Sequence, residues 1–481
     1  MELLTLLGNI SYRLRGNCEI LRQTVKGVTA DVRRASEGVL FVCTRTALRD
    51  GHLQVTAAYR AGCRAFLVDR RVDLPADAAV LTVPDAEALL GPLAAEFWGH
   101  PGRYLTVFGI TGSAGKSSVA LVLSALLERA GHTVASLTTD GVRIGATRHP
   151  SDVTVPDAAE LQELLHECRQ RGVSTVVLEF SAYMLLHKTA FSIPFAAVLL
   201  TNLWDIPPEQ GAFATPAAYR AAKLSLLQCP AAVRILPNSL AYLAGDRGWM
   251  TFGEGGDLSA DRVTPRATRD GLETNLILHF PNGEKQAVSL PVPGDFAVDN
   301  TMAAAAMAMC AGIPCAAIAK GLSRYFPVGR MELVSAFARR YVFVDSAYDP
   351  ASLGRALRIL RRFTDTRLTV VLGSVGGRAF WRRAPLGRVA AAYADFVYLT
   401  ADDPDCEDPV AICTEMVDEE QIERFAVIPD RRAAIRRAVL ELRPGDILLI
   451  AGKGACGSQL ICGKRHLFCE KDIVNEAMER F

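Results

Sequence analysis

Short, wholly apolar runs punctuate this chain. Most give way at once to Gly, Asp or Thr and then to a segment of helical periodicity. The clearest are Leu105–Phe108, Val176–Leu178, Phe195–Leu200, Val342–Val344, Thr369–Leu372, Phe396–Leu399 and Ile447–Ile450. Strands with no polar face, alternating with helices, predict parallel sheets covered on both sides. In such sheets ligands bind at the carboxyl ends of the strands, so the residues just past each run are where chemistry is expected. Residues 252–293 differ: turn signals at Gly253, Gly255-Gly256 and Pro281-Asn282-Gly283 separate short alternating runs and predict an antiparallel patch. No run approaches the ~20 residues of a membrane span.

Gly/Pro punctuation at Gly99–Gly102 and around Phe326–Gly329 divides the chain into three blocks, 1–100, 101–327 and 328–481. The strongest local signal opens the second block. Gly109-Ile110-Thr111-Gly112-Ser113-Ala114-Gly115-Lys116-Ser117-Ser118 follows one predicted strand and starts a helix running through Leu127. Glycines there let backbone N–H groups face phosphates, Lys116 reaches the outer phosphates and Ser117 can ligate Mg²⁺. Ile110 occupies the first glycine position of the strict motif, leaving G-x-x-G-x-x-G-K-S-S. The alternative is a glycine-rich turn that binds nothing.

That loop, with the motifs that follow it in order, resembles the Mur ligases, most closely the MurE type. Val28–Arg33, Gly38–Phe41 and Asp50-Gly51-His52 look like the family's uridine-nucleotide domain. Leu178–Ser181 is similar to its Glu-x-Ser segment. Thr201-Asn202-Leu203 followed by Tyr219–Lys223 is similar to the stretch holding its carbamylated lysine. Gly294–Phe296 with Asn300, Gly329–Glu332, Asp345–Pro350, Thr400–Asp405 and Ala451–Gly454 resemble its later markers. The resemblance implies an α/β, three-domain architecture: a uridine-binding block, a central P-loop sheet and a C-terminal Rossmann-like domain. It also implies an ATP-dependent ligase that extends UDP-MurNAc-dipeptide by a diamino acid in peptidoglycan precursor synthesis.

The chemistry that the resemblance implies is physically coherent. An amine does not displace hydroxide from a carboxylate, so the acid is first phosphorylated by ATP and the amine attacks the acyl-phosphate. Both steps build negative charge, which fixed cations stabilise. Gly112, Gly115, Lys116, Ser117 and Ser118 are expected to hold the triphosphate. Glu179 is expected as a second metal ligand, or as an acid at a helix N-terminus. Lys223, four residues after Tyr219, becomes an anionic Mg²⁺ ligand if carbamylated; otherwise it is a solvated helix lysine. Asn300 is implied to bind adenine, or else to cap its helix. Arg330, at the junction of the second and third blocks, and Asp345, after a buried strand, are implied on the ATP side; a turn aspartate is the alternative for Asp345. Asp31, Thr154, Ser181, Arg378, Arg383, Asp402, Asp403 and Asp405 are the substrate-side candidates.

Departures from the family pattern bear on the substrate. Trp204-Asp205-Ile206-Pro207-Pro208-Glu209-Gln210 lacks the family's Asp-His pair, with Asp205 or Glu209 as oxygen-bearing replacements. Ser181-Ala182-Tyr183 and Ser346-Ala347-Tyr348 each have Tyr in place of His, an aromatic body that cannot become cationic at neutral pH. Asp402-Asp403-Pro404-Asp405 replaces the Asp-Asn-Pro-Arg of diaminopimelate enzymes, and Gly452–Cys456 lacks the expected His-Glu. An Asp repels a distal carboxylate and attracts an amine, so lysine or ornithine is expected in preference to diaminopimelate. Asp31-Val32-Arg33 loses a hydroxyl, Thr154-Val155-Pro156 only approximates the sugar-contacting motif, and His187 replaces a common Gln. These changes leave two competing readings open: the same chemistry on another carboxylate, and a degenerate nucleotide-binding paralogue.

Composition changes this picture little. Hydrophobic residues make up 50% and charged residues 22% of 481, and Lys plus Arg (53) nearly balances Asp plus Glu (52). The balance gives no chain-wide case for nucleic acid or an anionic membrane as partner. Twelve cysteines are scattered without a C-x-x-C pair, which fits reduced thiols in a cytoplasmic protein. Neither a secretory leader nor a membrane anchor is expected, and the chain is expected to act as a monomer on small molecules.

Overall fold

The computed structural model describes the chain except residues 47–48, 140, 146, 150–155, 205–212, 214, 269–271, 326–327 and 481; at 148, 149, 267, 295 and 296 it describes the backbone alone. The described chain divides into two compact units: Met1–Gly256 with Ala303–Ile313, and Asp257–Met302 with Pro314–Phe481.

The first unit holds two sheets. The N-terminal one has five strands in the order Arg13–Gly16, Ala79–Thr82, Ala65–Val68, Val39–Val42, Gly27–Thr29, all parallel except the first pairing. The central sheet has eight: Met250–Phe252, Ala231–Pro237, Phe195–Leu200, Thr106–Thr111, Thr175–Glu179, Val134–Thr138, Gly141–Ile144 and Thr147–His149. All pairings but the last two are parallel, so only Gly141–Ile144 runs against the other strands. Thr106–Thr111 is the switch point, with Thr175–Glu179 on one side and Phe195–Leu200 on the other. Three strand ends therefore open onto one crevice. The helix Lys116–Arg129 returns from that edge. It buries Val119, Ala120, Val122, Leu123, Leu126 and Leu127, and stops at Ala130-Gly131, where Gly131 takes φ +93°. On the N-terminal side the helix Ala86–Phe97 reaches the helix Ala158–Gln170, and Glu87 pairs with His187 at 2.6 Å.

The second unit contains the antiparallel patch, now three strands: Ser259–Ala267, Leu272–His279 and Lys285–Leu290. Alternate residues of Leu272–His279 are buried, the signature of a sheet with one covered face. Its main sheet has six strands, ordered Glu332–Ser335, Tyr341–Asp345, Ile447–Ala451, Leu368–Ser374, Phe396–Ala401, Phe425–Val427. Only the first pairing is antiparallel. Asp345, Ser374 and Ala451 therefore end at one edge, where Asp402 also emerges. No described helix is long and apolar enough to cross a membrane.

Candidate active site

Backbone geometry at the switch point is set by a close approach. Gly112 takes φ +146°, and a Cβ there would lie 1.9 Å from the Thr201 hydroxyl oxygen. Only glycine satisfies both constraints. Thr201 Oγ1 donates to Ala114 O at 2.6 Å, and Asn202 Oδ1 accepts from Ser113 N and Ala114 N at 3.0 and 2.9 Å. The segment after one neighbouring strand thus clamps the start of the loop. Gly115, at φ +81°, turns the chain into the helix that begins at Lys116. The first N–H groups of a helix have no intrahelical acceptor and sit at its positive end, an arrangement suited to phosphate.

The neighbouring strand on the other side supplies a carboxylate. Glu179, the last residue of Thr175–Glu179, is 5% exposed. Its Oε2 accepts the Ser117 hydroxyl at 2.8 Å and the Thr139 N–H at 3.1 Å, and Lys116 Nζ stands 3.9 Å from its Oε1. Ser117 and Thr139 hydroxyls are also 3.0 Å apart. Glu179 is a strand-terminal acid here, not a helix cap; that role falls to Ser181, whose hydroxyl accepts Met184 N–H at 3.1 Å. Thr139 was not singled out from sequence, although it follows the strand Val134–Thr138 at the same edge. The Ser117 hydroxyl and Glu179 carboxylate are hard oxygen donors, the type Mg²⁺ takes in small number alongside phosphate and water. Among the described residues there is no cluster of three or more His, Cys, Asp or Glu.

Lys223 is buried, not solvated. The helix Pro216–Leu224 carries it inward at 2% exposure, and its Nζ donates to Gly112 O at 2.7 Å and lies 4.6 Å from the Tyr219 ring centre. The i, i+4 spacing puts ring and amine on one face. On the uridine-side candidate, Asp31 caps its own short turn. Arg33 binds its carboxylate at 2.6 Å and holds it below the usual carboxylate range, while the Arg33 side chain stays exposed. Thr154, Asp205 and Glu209 lie outside the described residues.

In the second unit Asn300 lies inside the helix Asp295–Cys310, past its first turn, so it is not a cap. Asp345 Oδ2 accepts Met331 N–H at 2.6 Å and its Oδ1 accepts Ala347 N–H at 2.8 Å. Burial pushes its carboxyl up, against the pull of Arg330 and these two amides. Asp345 thereby fixes the backbone beside Arg330.

The segment Gly376–Arg383, which carries Arg378, Arg382 and Arg383, and the Asp402–Asp405 segment form one cluster. Gly376 N–H donates to Asp403 O at 2.9 Å. Arg378 is exposed on this loop. Arg383 is turned inward at 1% side-chain exposure; it grips Glu407 through both oxygens at 2.7 and 2.8 Å and reaches Glu415 at 3.0 Å. Glu407 in turn accepts Gly377 N–H at 2.7 Å, so Arg383 anchors the loop that displays Arg378. The neighbouring Arg382 makes no ion pair among the described residues: its Nε makes one long bond, 3.4 Å to Ser374 Oγ, and its guanidinium lies 5.2 Å from the Tyr348 ring centre. Burial pushes its pKa down, with Asp402 and Tyr348 opposing. Asp402 and Asp403 both bind Lys453 Nζ, at 3.2 and 2.6 Å. Asp405 spends Oδ1 on Gly463 N–H at 2.7 Å, leaving Oδ2 without a hydrogen-bond donor among the described residues.

Family models match most of this architecture. The Mur ligase middle domain matches residues 110–308 and the Mur ligase glutamate ligase domain matches 329–454. A UDP-N-acetylmuramoyl-L-alanyl-D-glutamate–2,6-diaminopimelate ligase of Caldanaerobacter subterraneus is 31% identical over 99% of both chains. The Streptomyces coelicolor protein of the same name is 33% identical over 95% of this chain and 93% of its own. A UDP-N-acetylmuramyl-tripeptide synthetase of Roseiflexus is 33% identical over 90% of each. A solved structure bearing the diaminopimelate ligase name superposes over 100% of this chain and 99% of that one, with TM-score 0.70 at 24% identity. A MurF ligase from Thermotoga maritima in complex with ADP superposes over 95% and 97%, with TM-score 0.61 at 19% identity.

Proposed function

We propose, from the premise that this chain belongs to the Mur ligase family, a reading of its substrates and of the side chains that act on them. The chain is an ATP-dependent ligase that joins an acid to an amino acid with release of ADP. Its acceptor is UDP-MurNAc-dipeptide, and the residue added is a diamino acid. The observation that carries this reading is the Gly112–Ser117 loop bonded to Glu179 on one flank and to Lys223 on the other.

The amides of the first helical turn and Lys116 hold the β- and γ-phosphates. Mg²⁺, when bound at Ser117 and Glu179, neutralises triphosphate charge. Lys116 and the loop amides then stabilise the charge that grows on the γ-phosphoryl as the dipeptide carboxylate attacks it. Lys223 acts as a carbamate, and the N–H it would retain keeps the bond to Gly112 O. Asn300, Arg330 and Asp345 serve the nucleotide. Asp31, Thr154 and Ser181 serve the acceptor.

For the incoming amino acid, Arg378 and Arg382 read carboxylate. Asp402 and Asp403 are shared with Lys453, while Asp405, with one oxygen unengaged among the described residues, supplies negative charge. That balance favours a substrate ending in an amine over one ending in a second carboxylate. The deciding experiment measures phosphate release with Mg-ATP and UDP-MurNAc-dipeptide, offering lysine, ornithine and diaminopimelate in turn, with Lys116→Ala as blank. Release that needs both the dipeptide and lysine or ornithine is expected. Faster turnover with diaminopimelate would overturn the reading of Asp405, and no turnover with any amino acid would overturn the acceptor.

A further inference from the structure

Two exposed cysteines meet beside the loop that carries Asp405. Asp405 and Ile461 face each other across a parallel β-bridge. Asp405 N–H donates to Leu460 O at 3.1 Å, Cys462 N–H donates to Asp405 O at 2.8 Å, and Gly463 N–H reaches Asp405 Oδ1 at 2.7 Å. One residue past the bridge on each side stand Cys406 and Cys462. Both are exposed, and their side chains are close enough to interact electrostatically. The 2.8 Å bond from Cys462 N–H to Asp405 O ties the backbone of Cys462 to the peptide that leads into Cys406, where Asp405 (φ +51°) and Cys462 (φ +47°) turn out of extended geometry; a disulfide requires a Cα separation of ~4.4–6.8 Å. Cys462 occupies the tip between the strands Ser458–Ile461 and Lys464–Leu467. Four other thiols offer a contrast: Cys43, Cys168, Cys229 and Cys413 are buried, and burial pushes each up to about 12, which leaves them unreactive.

We propose that Cys406 and Cys462 form a dithiol–disulfide modification site that fastens the Asp402–Cys406 loop to the 458–467 hairpin. The oxidant is the disulfide of a low-molecular-weight thiol, RSSR. The Cys462 thiolate attacks one of its sulfurs, the S–S bond breaks, and RS⁻ leaves with the electron pair. Cys406 then gives its proton to solvent and attacks the Cys462 sulfur, expelling a second RS⁻. Two protein thiols are oxidised, RSSR is reduced, and the two protons released end on the two RSH products. Cys462 attacks first because the Asp405 carboxylate, 3.7 Å from the Cys406 sulfur, holds that thiol up. The site's effect on activity rests on the reading of this loop as the amino-acid selector; the disulfide itself does not.

The test incubates full-length protein with oxidised glutathione, alkylates the remaining thiols, and reads intact mass and peptide map. Wild type is expected to lose the mass of two hydrogens and to yield a reductant-sensitive peptide linking Cys406 to Cys462. Cys406→Ser is expected to stop with one glutathione on Cys462. Wild type that carries a glutathione on each of these cysteines without closing, or that reacts at neither, overturns the proposal. In the oxidised protein the KM for the amino acid is expected to shift about fivefold or more, a typical coupling magnitude, with the KM for ATP unchanged. A closed disulfide with unmoved kinetics would instead overturn the selector role of the loop.

Discussion

Lys223 Nζ donates a 2.7 Å hydrogen bond to the carbonyl of Gly112, joining a buried amine to the backbone of the phosphate loop. If that amine works as a carbamate, Lys223→Arg keeps the positive charge and loses the chemistry. The variant is expected to melt close to wild type while kcat falls by about 100-fold or more, the usual cost of losing one transition-state stabiliser. Removing dissolved CO₂ should lower wild-type activity reversibly and leave Lys223→Arg unmoved. Equal activity of Lys223→Arg and wild type would refute the carbamate.

Glu179 accepts from both Ser117 and Thr139 at the same edge. Glu179→Gln preserves shape and removes the anion. Its expected signature is a higher Mg²⁺ requirement together with a kcat loss of about 100-fold. A melting temperature unchanged by the substitution, measured alongside the Mg²⁺ titration, separates this role from a structural one.

Adjacent arginines should divide by role. Arg383 is buried in a bidentate grip on Glu407 with Glu415 beside it, so Arg383→Ala strands those carboxylates. The stranded carboxylates keep part of their solvent, so the expected cost is about 2 kcal/mol of stability, the order of a hydrogen bond to a charged group, read by denaturant titration. Arg382 has no such grip. Arg382→Ala is expected to raise the KM for the amino acid about tenfold, the loss of roughly one charge-assisted hydrogen bond, with stability near wild type. The reverse assignment, in which Arg383→Ala alone raises that KM, would sink the proposed reader.

That division has no local signature in the chain. The strand ends are legible because apolar runs announce parallel strands: Glu179 follows such a run directly, and Lys116 and Ser117 follow one across the Gly109–Gly115 loop. The burial of Lys223 was not legible: its helix shows the Tyr219 spacing but not which face turns inward. Arg382 and Arg383 are neighbours on the chain, and only packing against Glu407 tells the inward one from the other. The sequence predicts that Asp405 attracts an amine, but not that one of its oxygens serves Gly463, a residue 58 positions away. Long-range partners of this kind leave no local pattern in a single sequence.

Lys453, fully covered between Asp402 and Asp403, gives the clearest dependence on pH. Burial acts against both charges, but each outweighs it for the other: Asp402 is held below its ordinary 3.8 by Lys453 and Arg431, and Lys453 is held above its ordinary 10.5 by the two aspartates. An acid with a lowered folded pKa contributes stability above its unfolded value and loses it as pH falls through the folded one. A lysine with a raised folded pKa contributes below its unfolded value and loses that contribution as pH rises through the folded one. The stability gap between wild type and Lys453→Met should therefore be flat from about pH 5 to pH 9 and narrow at both extremes. Melting curves of the two proteins across that range check it. A gap that instead changes steadily near neutrality would mean the pair is not what Lys453 contributes.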